Sequence, residues 1–214
     1  MPPNTSNLIH HFSLQIIAQA LDRFRADEIF ISFNGGKDCT VLLDLIHSSN
    51  LKDAKRIKCI YVRPQNPFTE IEEFVEQCRQ HYGITIATVD GGIKAALELI
   101  CRDDPVIKAC IMGSRRSDPY CERLAPFQET DAGWTPLMRI NPLLEWTCED
   151  IWSYIREHNV PYCALYDRGY TSIGDRTNTI PNPHLRVEMD GEEETYLPAY
   201  ALQHADKYER AGRL

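Results

Sequence analysis

Apolar side chains recur along the first half of the chain at two alternating periods. In Asn7 to Arg25 they fall at Leu8, Phe12, Ile16, Ala20 and Phe24, the spacing of one helix face. Glu28 to Phe33, EIFISF, is short and rich in β-branched and aromatic residues, and reads as a strand. Asp38 to Ser48 returns to the helical period, with Val41, Leu42, Leu45 and Ile46 inward. Ile57 to Val62 predicts a second strand, and Thr69 to Tyr82 a helix stopped by Gly83. Ile84 to Val89 predicts a third strand, Ile93 to Arg102 a third such helix after the Gly91-Gly92 turn, and Val106 to Met112 a fourth strand ending at Gly113.

Strands alternating with helices imply βαβ units. The expected fold is α/β, a mainly parallel, Rossmann-like sheet with helices on both faces. Ligands of such sheets sit beyond the carboxyl ends of the strands, so the loops 34–38, 63–67, 90–92 and 113–120 are the ones to inspect.

After Gly113 the pattern changes. Prolines at 119, 126, 136, 142, 161, 181, 183 and 198 punctuate the chain. One clear helix remains, Glu149 to His158, with a capping-box start at Thr147 and Asp150 and a stripe of Ile151, Trp152 and Ile155. The tail from Ala199 to Leu214 is expected to form a last helix carrying Lys207, Arg210 and Arg213. Trp134, Trp146, Tyr166 and Tyr170 make this loop-rich stretch look functional instead of disordered. No repeat or linker divides the chain; one domain is expected, with a core over about residues 7–113 and a substrate-binding region over about 114–214.

Composition narrows the function classes. The 214 residues include 23 Lys+Arg against 31 Asp+Glu, a net charge of −8, with 43% hydrophobic and 25% charged positions. That is the profile of a soluble globular chain. No apolar run is long enough to span a membrane, and the acidity argues against nucleic acid or anionic membranes as partners. Met1 to Ser6 lacks the basic and apolar segments of a secretory signal. None of the eight cysteines pairs at C-x-x-C spacing, so reduced thiols and a cytoplasmic location are expected.

The chemistry begins at Ser32-Phe33-Asn34-Gly35-Gly36-Lys37-Asp38-Cys39, which follows a strand and opens a helix. Two glycines allow a tight turn, the helix start offers unpaired N–H groups, and Lys37 adds charge: a phosphate cradle. It is not a Walker A loop, which needs Gly where Ile31 stands and Ser or Thr where Asp38 stands. On the loop after the fourth strand, Arg115 and Arg116 are candidate phosphate ligands, with Asp118 beside them at the reaction centre. His184 has no partner at metal-ligand spacing and reads as loop structure; Trp152 reads as core.

SFNGGKDC resembles the pyrophosphate-binding motif of the PAPS-reductase-like and N-type ATP pyrophosphatase families, which split ATP between its α and β phosphates. Gly113-Ser114-Arg115-Arg116-Ser117-Asp118-Pro119-Tyr120, Arg139 to Trp146, Leu165 to Gly174 and Pro181 to Leu185 extend the likeness to the eukaryotic FAD synthases of that family. The resemblance runs from about Phe30 to Leu214. It implies the reaction FMN + MgATP → FAD + pyrophosphate, a loop-rich C-terminal flavin-binding region, and apo-flavoproteins as FAD acceptors.

It further implies site residues. Asn34, Asp38, Arg115 and Asp118 would be catalytic, with Asp38 and Asp118 at Mg²⁺. Ser32, Phe33, Asn34, Gly35, Gly36, Lys37, Gly113, Arg115, Arg116 and Asn141 would bind substrate. So would Trp146, Tyr170, Ser172, Ile173, Arg210 and Arg213, the last two through the Glu-Arg-Ala-Gly-Arg ending.

Three alternatives stand beside this reading. A sulfonucleotide reductase would carry a Glu-Cys-Gly-Leu-His segment, absent here. A tRNA-thiolating enzyme would favour basic patches and paired cysteines. A non-catalytic flavin- or nucleotide-binding module would bind without turnover.

Overall fold

Alternate residues of Ile29–Phe33 serve two different cores, and this strand, β1, anchors the sheet. Ile29, Ile31 and Phe33 join the larger core, while Phe30 points into the smaller one. The computed structural model describes residues 5–187 and 194–214; the Met1–Asn4 stretch lies outside them. Around β1 the chain builds β2 (Lys58–Arg63), β3 (Ile86–Asp90), β4 (Ala109–Ile111), β5 (Phe127–Glu129) and β6 (Met138–Ile140). Their order across the sheet is β3-β2-β1-β4-β6-β5; every neighbouring pair is parallel except antiparallel β5–β6.

Helices α1 (Thr5–Arg23), α2 (Lys37–Ser48), α3 (Thr69–Tyr82) and α5 (Cys148–Glu157) contribute to the larger core, and α4 (Ile93–Asp103) to the smaller. Right-handed crossovers through α2 and α3 lay β2 and β3 to one side of β1. The return through α4 on the opposite face then delivers β4 to the other side. Successive connections leave β1 and β4 in opposite directions, so a crevice opens beyond their carboxyl ends.

The mainly parallel sheet matches expectation, with differences in detail. β4 is shorter than Val106 to Met112, because Asp104 to Ile107 forms a turn, with the Ile107 N–H donating to the Asp104 carbonyl at 3.1 Å. The buried face of α1 is Ser13, Ile16, Ile17 and Ala20, leaving Leu8 and Phe12 exposed. Ser13 is drawn inward because its hydroxyl donates to the Pro142 carbonyl and accepts from the Trp146 indole, both at 2.8 Å.

The expected last helix over Ala199 to Leu214 is not formed. A single helical turn, Ala205–Tyr208, is followed by a strap whose Arg213 bridges Thr179. There Gly212 accepts from the Ile180 N–H and Leu214 donates to the Asn178 carbonyl. Backbone pairing with the 178–180 segment replaces the helical ladder. The capping box at Thr147 and Asp150 is present.

Candidate active site

Gly35 takes φ +73°, the left-handed region open to glycine, and turns the chain between β1 and α2. Asn34 braces the turn: its Oδ1 accepts from the Gly36 N–H at 2.9 Å and from the Cys39 thiol at 2.8 Å. The Lys37 N–H donates to the Tyr166 hydroxyl at 2.8 Å. The following amides of the first helical turn have no carbonyl below them and present the positive end of the α2 dipole.

This turn forms one wall of a cleft of about 850 Å³ at the crevice between β1 and β4. Ser32, Phe33, Asn34, Gly36, Lys37 and Asp38 line it on the α2 side. Gly113 and Asp118 come from the loop after β4, Ser172 and Ile173 from the 170–178 loop, and Arg210 and Arg213 from the strap. These predicted residues therefore converge on one cavity from four segments distant in sequence.

The floor of the cleft is a charge cluster, in which Lys37, Asp38, Asp118 and Glu209 reach the cavity. Lys37 and Arg115 are 2% and 1% exposed, too buried to act as solvated charges. Lys37 pairs with Asp38 at 3.0 Å and with Glu209. Arg115 faces Asp38 at 2.7 Å, Asp206 at 3.4 Å, Asp118 at 3.7 Å and Glu209. The Arg115 Nε and Asp38 Oδ1 attract one another but are not aligned for a hydrogen bond, and Oδ1 is buried without one.

Burial alone would lower the Lys37 ammonium, but Asp38 and Glu209 hold it well above its usual range. Burial would raise the Glu209 carboxyl, yet Lys37 and Arg115 outweigh it and keep it below the ordinary carboxylate value. Asp118 goes the other way: burial pushes its carboxyl up, helped by Asp38 and Glu209 and opposed by Arg115.

Arg210 and Arg213 differ from these cations. Among the described residues neither has a carboxylate partner; Arg210 only approaches the Ser172 hydroxyl, at 3.5 Å. The Arg213 guanidinium lies over Gly174, where a Cβ would take its place. Burial and the like charge of Arg210 lower its pKa. Two uncompensated guanidinium groups facing a cleft opposite a helix N-terminus are arranged to receive a polyanion.

Several predicted site residues are elsewhere. Arg116 leaves the cleft to pair with Glu145 at 2.6 Å and to donate to the carbonyls of Glu122 and Leu124 at 3.1 Å. Trp146 is buried in the larger core, its indole N–H held by Ser13. Asn141 is buried and fixes the loop before β5, donating to the carbonyls of Ala125 and Pro126 at 2.9 Å. Tyr170 stands one layer back, edge-on to Phe68, which does line the cleft. Arg115 and Gly35 lie under the wall and are not among its lining residues. Trp152 is core, and His184 packs on Tyr208 in a loop, as expected of both.

The sequence reading gave no site role to Glu209, Asp206, Tyr166 or Asn182, although Tyr166 stood among the aromatics that mark the stretch and Asn182 within a resembling segment. Glu209 was legible only as the neighbour of Arg210; no periodicity marks a residue that becomes buried through a non-helical strap. A second, apolar pocket of about 180 Å³ adjoins the cleft and shares Ser32, Ile93 and Met112 with it. Asp131, Trp134 and Arg139 form its outer wall. Among the described residues no helix is long and apolar enough to cross a membrane.

The chain matches the phosphoadenosine phosphosulfate reductase domain over residues 28–106 and 97–181. It is 39% identical to a probable FAD synthase of Schizosaccharomyces pombe, covering 94% of this chain and 77% of that one. To a probable FAD synthase of Caenorhabditis briggsae it is 38% identical over 93% of its length, but spans only 39% of that protein. Its structure is similar to Candida glabrata FMN adenylyltransferase in complex with FMN and the ATP analog AMPCPP. That match has a TM-score of 0.88 and 28% identity, over 98% of this chain and 90% of that one. A domain match over most of the chain, together with this identity, shows that the chain belongs to the phosphoadenosine phosphosulfate reductase domain family and, within it, to the FAD synthases.

Proposed function

We infer that the chain transfers the adenylyl group of ATP to FMN, giving FAD and pyrophosphate. One observation carries the reading: the helix N-terminus after Gly36 and Arg210 and Arg213, which lack a carboxylate partner among the described residues, face each other across a single cleft at the β1/β4 switch point. A terminal phosphate oxygen of FMN attacks the α-phosphorus of ATP. The bond from that phosphorus to the bridging oxygen breaks, and the electron pair leaves with pyrophosphate. The nucleophile is already ionised near neutral pH, so alignment and charge compensation are the task. The N-terminus of α2 and the two arginines perform it, and the apolar side pocket can hold one planar ring.

Magnesium belongs to the proposal. Asp38 and Asp118 both line the cleft, and in the cluster behind them two cations face four carboxylates. Mg²⁺ is held by one or two carboxylates together with substrate phosphates, which this pair can supply. The described residues hold no group of three His, Cys, Asp or Glu ligands, so phosphate oxygens would complete the shell.

Cysteine chemistry has no support here. Burial pushes every one of the eight thiols up, Cys39 and Cys148 to about 12 and Cys163 to about 11. The free thiols suit a reducing compartment, and we place the enzyme in the cytoplasm, passing FAD to apo-flavoproteins.

The test is purified protein with MgATP and FMN, following FAD and pyrophosphate, with riboflavin, and adenosine phosphosulfate plus a dithiol reductant, as control substrates. Equimolar FAD and pyrophosphate from FMN alone is the expected result. Sulfite release from adenosine phosphosulfate, or flavin binding without turnover, overturns the reading.

A further inference from the structure

Glu209 precedes the two cleft arginines by one and four residues in the sequence and is 6% exposed. Its carboxylate is shared: Oε1 accepts from the Lys37 ammonium and Oε2 from the Arg115 guanidinium. Its own carbonyl accepts from the Thr171 hydroxyl at 2.6 Å. The Asn182 amide donates to that hydroxyl and to the Tyr208 carbonyl, both at 2.8 Å. Both carboxylate oxygens and the carbonyl of Glu209 are thus engaged with α2, the loop after β4 and the 170–182 segment, while its N–H donates to the Ala205 carbonyl at 2.7 Å.

Lys37 stands differently from a phosphate ligand. Its ammonium is 2% exposed and spent on Asp38 and Glu209, and its N–H on Tyr166. The strap carries two cleft cations, Arg210 and Arg213, that have no carboxylate partner among the described residues.

We propose that Glu209 is a positioning residue: shared between Lys37 and Arg115, its carboxylate seats the strap so that Arg210 and Arg213 face the cleft. Lys37 works through that seat. This rests on the adenylyl-transfer reading of the cleft for its kinetic consequence, but the seating itself is independent of it. The two cations also need the carboxylate: removing its charge leaves both buried with fewer partners.

The experiment compares Glu209→Gln, Lys37→Met and the double variant Lys37→Met/Glu209→Gln in the full chain. Hydrogen exchange over residues 205–214, melting temperature and steady-state kinetics in ATP and FMN are measured on the same preparations. Glu209→Gln should speed exchange in the strap, raise KM roughly ten- to hundredfold, the worth of lost charge-assisted contacts to substrate, and lower the melting temperature, because Lys37 and Arg115 stay buried with fewer partners. The double variant should lose no more than the worse single one, since both break one seat.

Thr171→Val, which removes the hydroxyl under the Glu209 carbonyl and no charge, should loosen the strap by a second route and move KM in the same direction. It keeps the test decisive if Glu209→Gln fails to fold. Unchanged exchange over 205–214 in the folded variants, or additive losses in the double one, overturns the proposal. Absence of FAD synthesis in the unaltered chain would overturn the proposed activity instead, and the exchange data would still judge the seat.

Discussion

The Asp175 carboxylate accepts a hydrogen bond from the Asn66 backbone N–H at 2.9 Å, and the Asn66 carbonyl accepts from the Arg176 N–H at the same distance. The loop after β2 and the loop after Tyr170 are joined by this exchange, beside the cleft both help to line. Hydrogen bonds from Thr177, with those from Asn66, hold the Asp175 carboxyl down to about 2. A depressed carboxylate contributes stability that is complete above its unfolded value of 3.8 and is lost as pH falls towards 2. The stability difference between the unaltered chain and Asp175→Asn should therefore be constant above about pH 4 and shrink below it. Denaturant midpoints over that range check the slope; a difference growing as pH falls would place the interaction elsewhere.

Arg210→Gln and Arg213→Gln should each weaken use of ATP or FMN by about 1.5–3 kcal/mol, roughly ten- to hundredfold in kcat/KM. Gly174→Ala makes the sharper test. A methyl there takes the space of the Arg213 guanidinium while leaving the arginine in place. It should reproduce the Arg213→Gln kinetics. Normal kinetics in Gly174→Ala beside an impaired Arg213→Gln would show that the guanidinium acts from a different position.

Asp118→Asn preserves the acceptor for the Arg115 N–H, a 2.9 Å bond that closes the turn after β4. It also relieves a carboxylate whose ionisation burial disfavours. Folding should survive, with melting temperature equal or higher, while FAD formation falls by about tenfold or more if the carboxylate serves at Mg²⁺ and phosphate. Wild-type turnover in a folded Asp118→Asn would remove it from the reaction centre.

Trp146→Phe should do the opposite. It deletes the indole N–H that binds Ser13 in the larger core and leaves the cleft untouched. A loss of about 1–2 kcal/mol in denaturant stability is expected, with KM for both substrates unchanged. A KM effect for FMN alone would return this tryptophan to the flavin.

The first half of the molecule was legible because its signals are local. The apolar period of Val41, Leu42, Leu45 and Ile46 fixes which face of α2 is buried, and all four are fully buried. Asn34 to Asp38 announces its turn through residue chemistry. The second half resists such reading because long-range pairing decides it. β5 and β6 have three residues each, too short for a periodic signal; β6 forms because β4 offers it an edge, and β5 because β6 does. Arg116 and Arg115 are indistinguishable in sequence; Glu145, from a segment with no local link to either, takes Arg116 out of the cleft. The strap reads as a helix until its pairing with Thr179 is known.

The division of β1 between two cores gives the strand something like a reading frame. Ile29, Ile31 and Phe33 serve one side and Phe30 the other. Exchanging one apolar residue of β1 for another leaves the parity intact. Inserting or deleting one residue inverts every later position, sends Phe33 to the smaller core, and rotates the Asn34–Asp38 turn half a revolution from the cleft. Length variation in this fold has to accumulate in connecting loops away from the cleft, where no alternation is being counted.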